Sequence, residues 1–213
     1  MTTVYLVRHC ESTGNVSRRI QGRTDCDISD NGKLQLENLK ARMADLPIDI
    51  IYSSPLKRAQ LTAESIRGDR DIEIRVDDDL QEMSFGVAED KTWEEIGTEL
   101  PGTWEDWRHS PYTVRFPNGE TFKDVEGRMV AAVEKIVREN PGKYIAIASH
   151  ATPIRVFARY VLEENEDLKN VDWARNTSIT TVEYGDDFKP KMVLYNDYSH
   201  QPEELIYHIK TAR

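Results

Sequence analysis

Apolar residues fall into two distinct periods along this chain. Short apolar runs (Val4-Tyr5-Leu6-Val7, then residues 48–52, interrupted only by Asp49, and 144–148) are too brief for helices and rich in β-formers, so they read as strands buried on both faces. Residues 72–76 alternate and predict a third, short strand near the middle of the chain. Residues 176–184 and 191–195 predict two more, the last of them short. Between the runs, Leu36, Leu39 and Met43 recur at helical spacing over residues 32–43, as do Leu56, Ala59, Ala63 and Ile66. Ser54 and Pro55 read as the N-cap and first position of that second helix. Val125, Met129, Ala132, Val133, Ile136 and Val137 form the clearest apolar stripe. It opens at a capping box, Thr121 to Asp124, and stops at Asn140-Pro141-Gly142. A last helix runs through Ile154, Phe157, Tyr160 and Val161. Gly14 reads as a turn and residues 16–30 as a polar loop.

Strands alternating with helices predict an α/β fold, a three-layer α/β/α sandwich with a largely parallel central sheet. The pattern degrades after Asp77. Residues 89–118 are locally helical, carry Trp93, Trp104 and Trp107, and are punctuated by Pro101, Gly102, Pro111 and Pro117. No flexible linker flanks them. They predict a small helical insertion at about residues 84–120 within one domain spanning 1–213. The tryptophan spacing favours the core of a small lobe over a substrate box.

At 213 residues with 38% hydrophobic and 31% charged side chains, the composition is that of a soluble globular domain. The net charge of −10 argues against nucleic acid or an anionic membrane as partner. There is no signal-peptide pattern and no bilayer-length apolar stretch, so a cytoplasmic protein is expected. The two cysteines, Cys10 and Cys26, make no disulfide framework and have no metal-motif spacing.

Candidate chemistry sits where the strands stop. Three of them end in Arg8-His9, in Ser53-Ser54-Pro55 leading to Arg58, and in Ser149-His150. Ligands of open parallel sheets bind beyond the strands' carboxyl ends. If these strands are neighbours, Arg8, His9, Arg58 and His150 meet in one cationic pocket, which is costly unless an anion fills it. Two guanidinium forks and two imidazoles suit a phosphoryl group. Zinc is the competing use of such residues, but adjacent arginines would repel it, and neither HExxH nor HxH spacing is present. No metal and no cofactor is expected.

These residues also carry a resemblance. LVRHCES with Asn15, SSPLKRAQLTAE from Ser53, Leu80-Gln81-Glu82 and ASHATPIR from Ala148 resemble, in order, four motifs of the histidine phosphatase superfamily, which includes the cofactor-dependent phosphoglycerate mutases. The resemblance implies that His9 is a nucleophile forming a phosphohistidine. It implies that Arg8, Arg58 and His150 hold the phosphoryl group, and that Glu82 protonates the leaving oxygen and then activates water. Asn15, Gln21, Gly22 and Ala151 match positions of further substrate contact. Physical chemistry agrees: positive neighbours lower the pKa of His9 towards the free base, and a bound dianion raises that of Glu82 towards the acid.

Two positions depart from the usual motif. Cys10 and Ala151 stand where glycine is customary, which predicts slight distortion without loss of the site. Cys10 reads as a packed thiol before a redox-sensitive one. His109, His200 and His208 read as structural or surface residues, and Asn176-Thr177-Ser178 as a hydrogen-bonding strand start. The region between the third and fourth motifs lacks the arginine, tyrosine and proline of the long phosphoglycerate mutases, so water should reach the phosphohistidine. The expected activity is a metal-independent phosphomonoesterase acting on a small phosphorylated metabolite. A mutase and a non-catalytic phospho-ligand binder are the alternatives, and a homodimer is a common arrangement in such a family.

Overall fold

The computed structural model describes residues 1–165 and 168–206. In chain order the elements are β1 (Thr2–Arg8), α1 (Thr13–Val16), α2 (Asp30–Ala44), β2 (Ile50–Ser53), α3 (Lys57–Arg67) and β3 (Ile74–Val76). There follow α4 (Trp93–Glu99), α5 (Pro101–His109), α6 (Phe122–Glu139), β4 (Tyr144–Ser149), α7 (Ala151–Leu162), β5 (Ile179–Tyr184) and β6 (Pro190–Asp197). The six strands form one sheet in the order β3-β2-β4-β1-β5-β6. The first four are mutually parallel, β5 runs antiparallel to β1, and β6 runs antiparallel to β5.

Alternation along β1 divides the core between the sheet's two faces, as the period of a strand requires. Val4 and Leu6 pack with Met129, Val133 and Ile136 of α6 and with Ile154 and Phe157 of α7. Tyr5 and Val7 pack with Leu39 and Met43 of α2 and with Ala59, Ala63 and Ile66 of α3. A third apolar cluster stands apart from these. Met83, Phe85, Ile96, Phe116 and Phe122 gather with Trp93, Trp104 and Trp107, joining the region around α4 and α5 to the start of α6.

Several boundaries differ from the sequence pattern. Ser54 and Pro55 do not open α3, which begins at Lys57 with Leu56 in the cap position and no side-chain cap. The Ser54 hydroxyl is engaged by a buried imidazole instead. The stretch at Gly14 is one helical turn, closed by a capping box between Ser12 and Asn15. Asn176-Thr177-Ser178 precede β5 rather than belonging to it. β6 has eight residues rather than a short run. It lies at the sheet edge and its register against β5 is irregular, which breaks the two-residue period that marks a strand in sequence. The Thr121–Asp124 capping box is formed as the sequence indicates.

Candidate active site

Sheet register assembles the site. Arg8 pairs with Ser149 and Ser53 with Ala148, so β2, β4 and β1 end at one level. The ladder continues one residue further. The backbone N–H of His9 donates to Ser149 O at 2.9 Å, and that of Ser54 to Ala148 O at 3.0 Å. Neighbouring strand ends thus present Ser54, His150 and His9 in a row, with the two imidazole centroids 5.1 Å apart.

His9 is 3% exposed, and its Nδ1 lies 2.6 Å from the carbonyl oxygen of Cys10. A carbonyl only accepts, so Nδ1 carries the proton and the lone pair of the neutral ring falls on Nε2. Burial first, then the charges of Arg58 and Arg8, hold the His9 pKa well below the ordinary histidine value. His150 is fully buried and its pKa is likewise lowered, by burial and then by Arg58 and His9. Its Nε2 meets Ser54 Oγ at 2.8 Å, while Nδ1 has no partner among the described residues.

Arg58, in the first turn of α3, is almost wholly buried. Its Nη2 donates to Gly22 O at 2.8 Å and its Nη1 to Thr24 O at 2.9 Å. Gly22 has φ +52°, and a Cβ there would run into the carboxylate of Glu89, so glycine is required where this loop meets Arg58. Arg8 donates from Nη1 to Ala174 O at 2.6 Å. The segment before β5 braces the same corner. Asn176 Nδ2 donates to His9 O at 2.9 Å, and Thr177 N–H to Arg8 O at 3.0 Å. This is the structural hydrogen bonding expected of residues 176–178.

Glu82 is 8% exposed. Its Oε1 accepts from the Met83 N–H at 2.8 Å, and its Oε2 from the Thr152 N–H at 3.5 Å. The loop that carries it is clamped by Arg128 of α6. Arg128 donates to the carbonyls of Asp79, Gln81 and Glu82 at 2.7, 2.7 and 3.0 Å, and pairs with Glu120. The side-chain oxygens of Asn15 and Gln21 lie 2.9 and 2.6 Å from Ser12 Oγ.

Arg8, His9, Asn15, Gln21, Gly22, Arg58, Glu82 and Ala151 all border one cleft of about 650 Å³. His150 is not on its wall but directly behind His9. The two glycine replacements distort nothing in the backbone, since neither Cys10 nor Ala151 has positive φ. Cys10 is fully buried, its N–H donates to Thr62 Oγ1 at 3.1 Å, and burial pushes its thiol up to about 11, as fits a packed cysteine. His109 is exposed, with Nδ1 2.8 Å from Glu105 O, whereas His200 is half-buried; His208 lies outside the described residues.

The cleft also contains residues that sequence reasoning did not select. Trp93, Trp104 and Trp107 do stack on one another as a small lobe does, yet the same indoles border the cleft. Thr152, Arg155 and Trp173 join them. Spacing could have found Thr152 and Arg155, one position and one turn beyond Ala151 on the same helix. Trp173 sits in an irregular segment with no periodicity to announce it.

Comparisons with known proteins agree with this geometry. Residues 4–198 match the model of the histidine phosphatase superfamily, branch 1. Phosphoserine phosphatase 1 of Hydrogenobacter thermophilus is 33% identical over 73% of this chain and 74% of its own length. The Probable phosphoglycerate mutase GpmB of Cronobacter sakazakii is 30% identical over 86% of each chain. The solved structure of Bacillus stearothermophilus YhfR superposes with a TM-score of 0.89 at 31% identity, covering 94% of this chain and 99% of that one. With three of its motifs at the ends of adjacent strands, the other in the loop that carries Glu82, and its length matched from residue 4 to residue 198, this chain belongs to the histidine phosphatase superfamily.

Proposed function

We propose that the protein is a metal-independent phosphomonoesterase that hydrolyses a small phosphorylated metabolite through a phosphohistidine on His9. The observation that carries this reading is the His9–Cys10 hydrogen bond, because it leaves a free-base Nε2 between two arginines. Nε2 attacks phosphorus while the ester P–O bond breaks, and Glu82 gives its proton to the departing oxygen. In the second half Glu82, now a carboxylate, takes a proton from water. The water oxygen attacks phosphorus, the P–N bond breaks, and phosphate leaves. Arg8 and Arg58 neutralise charge on the equatorial oxygens in both transfers, and His150, uncharged behind His9, supports the same phosphoryl group by hydrogen bonding. Residues 84–120 serve as the lid of a single domain, setting what enters beside the phosphoryl group.

Transfer of the phosphoryl group back to substrate, as in a mutase, is the second reading; similarity to GpmB favours it. Both readings are tested by turnover of p-nitrophenyl phosphate and 3-phosphoglycerate with and without 2,3-bisphosphoglycerate. The phosphatase reading expects hydrolysis of both without the bisphosphate, together with acid-labile phosphate on the chain that His9→Ala abolishes. Bisphosphate-dependent isomerisation with negligible hydrolysis would reverse the ranking. Tight phosphate binding with no adduct on His9 would make the chain a binder.

A further inference from the structure

The cleft remains cationic far beyond its phosphoryl end. Six arginines line it, against Glu82 as the one lining carboxylate among the described residues, in a chain of net charge −10; of the outer ones Arg19 pairs with Glu95 and Arg108 with Glu105. Arg18, Arg19 and Arg108 are exposed, whereas Arg155 is half-buried. Its guanidinium lies 4.3 Å from the Trp173 ring centroid, with Nε donating to Val171 O at 2.7 Å and Nη2 to Leu168 O at 2.9 Å. The two carbonyls fix the fork's orientation without cancelling its charge, and Arg155 forms no ion pair among the described residues. A half-buried guanidinium held this way, with donors left over, offers an anion site.

An unbroken aromatic wall leads to it. Trp104 stacks on Trp93 at 4.9 Å and Trp93 on Trp107 at 5.0 Å. Trp107 meets Phe122 edge-on at 6.0 Å, and Phe122 meets Trp173 edge-on at 6.2 Å. All five rings border the cleft, and the four indoles are half-buried. Apolar surface turned towards a cleft is covered best by an apolar, flat ligand.

We propose that Arg155 and Trp173 form an anion subsite for the leaving group. The preferred substrate is then a phosphomonoester of an aromatic alcohol whose ring bears a carboxylate opposite the ester oxygen. This deepens, and rests on, the phosphatase reading of the same cleft. Arg155 stands four residues beyond Ala151 on α7, about 6 Å along the helix axis. That advance is about the span of a para-substituted benzene ring. A short aliphatic hydroxy acid keeps its carboxylate within one or two carbons of the ester, short of Arg155, and leaves the indole wall bare.

The test titrates the wild-type protein calorimetrically with benzylphosphonate, 4-carboxybenzylphosphonate and 3-phosphonopropionate, none of which can be hydrolysed. The carboxybenzyl compound is expected to bind at least tenfold more tightly than either of the others. Arg155→Gln should remove most of its advantage over benzylphosphonate, and Arg155→Lys should keep part of it. Equal affinity for 3-phosphonopropionate and the carboxybenzyl compound overturns the proposal, as does a para-carboxylate gain that survives Arg155→Gln. If Arg155→Gln does not fold, the wild-type order alone decides. Failure of this order leaves hydrolysis by His9 standing, and absence of turnover refutes the phosphatase reading without touching the order.

Discussion

Ser54 Oγ lies 2.8 Å from Nε2 of His150, two residues separated by 96 positions in the chain. The contact exists because β2 and β4 are sheet neighbours in a register that ends both at one level. Ser54 Oγ also accepts the Leu56 N–H at 3.3 Å, which orients it. The imidazole is thereby fixed, with Nδ1 unpartnered among the described residues. Removing the hydroxyl leaves a buried nitrogen unpaired, at a cost of about 1–3 kcal/mol. Ser54→Ala should therefore lower the thermal midpoint and reduce kcat/KM by roughly tenfold, with Ser54→Thr recovering most of both. Unchanged melting and kinetics in Ser54→Ala would show that the contact positions nothing.

Arg128 never reaches the cleft wall, yet it holds three carbonyls of the loop that aims Glu82. Loosening that loop should hurt proton delivery more than phosphate binding. An alkyl leaving group needs the proton, whereas p-nitrophenolate leaves without it. Arg128→Ala is expected to reduce kcat on 3-phosphoglycerate by about a hundredfold and on p-nitrophenyl phosphate only several-fold. Equal losses on the two esters would place Arg128 in folding rather than in positioning.

Both site histidines are held below the ordinary value, chiefly by burial. Between pH 6.5 and their folded values, the unfolded chain binds protons that the folded chain refuses. Stability from this source is complete above the unfolded value and is lost as pH falls through that window. The slope is at most about 1.4 kcal/mol per pH unit for each histidine. Urea unfolding from pH 8 to pH 5 measures it, and His9→Gln should flatten the curve by one histidine's share. A parallel pair of curves would mean that His9 ionises alike in both states. For the same reason the acid limb of kcat/KM for His9 should fall well below pH 6.5.

Cys10 is fully buried with its thiol pushed up to about 11, whereas Cys26 is partly exposed. Iodoacetamide at pH 8 should label Cys26 in the native protein and leave Cys10 untouched until urea is added. Mass spectrometry of the peptides reads the outcome. Native labelling of Cys10 would contradict its packing. Cys10→Gly should lower stability by about 1–2 kcal/mol, through lost burial and added chain entropy. It should keep turnover, because the carbonyl that orients His9 belongs to the main chain.

Val4 to Val7, residues 48–52 and residues 144–148 are legible as buried strands because a strand covered on both faces is largely apolar, and the one polar residue among them, Asp49, lies exposed just before β2. The ends of those runs exposed Arg8, His9 and His150, and helical spacing exposed Arg58. Ser54 carries the pattern of a helix cap, since a hydroxyl before Pro55 satisfies the same local pattern whether it caps a helix or meets an imidazole from a distant strand. β6 looks short in the sequence because an edge strand with irregular register need not alternate.

The sequence alone determined the layers and which side chains stand at the strand ends, since periodicity and residue type are local properties that survive without coordinates. Strand order and register were left to the tertiary structure. Placing β4 between β2 and β1 set the two imidazoles 5.1 Å apart. Packing of the helical insertion against Phe122 and Trp173 turned a run of indoles into a wall of the cleft. Contacts between segments this far apart in the chain depend on how surfaces fit, and no local pattern records that.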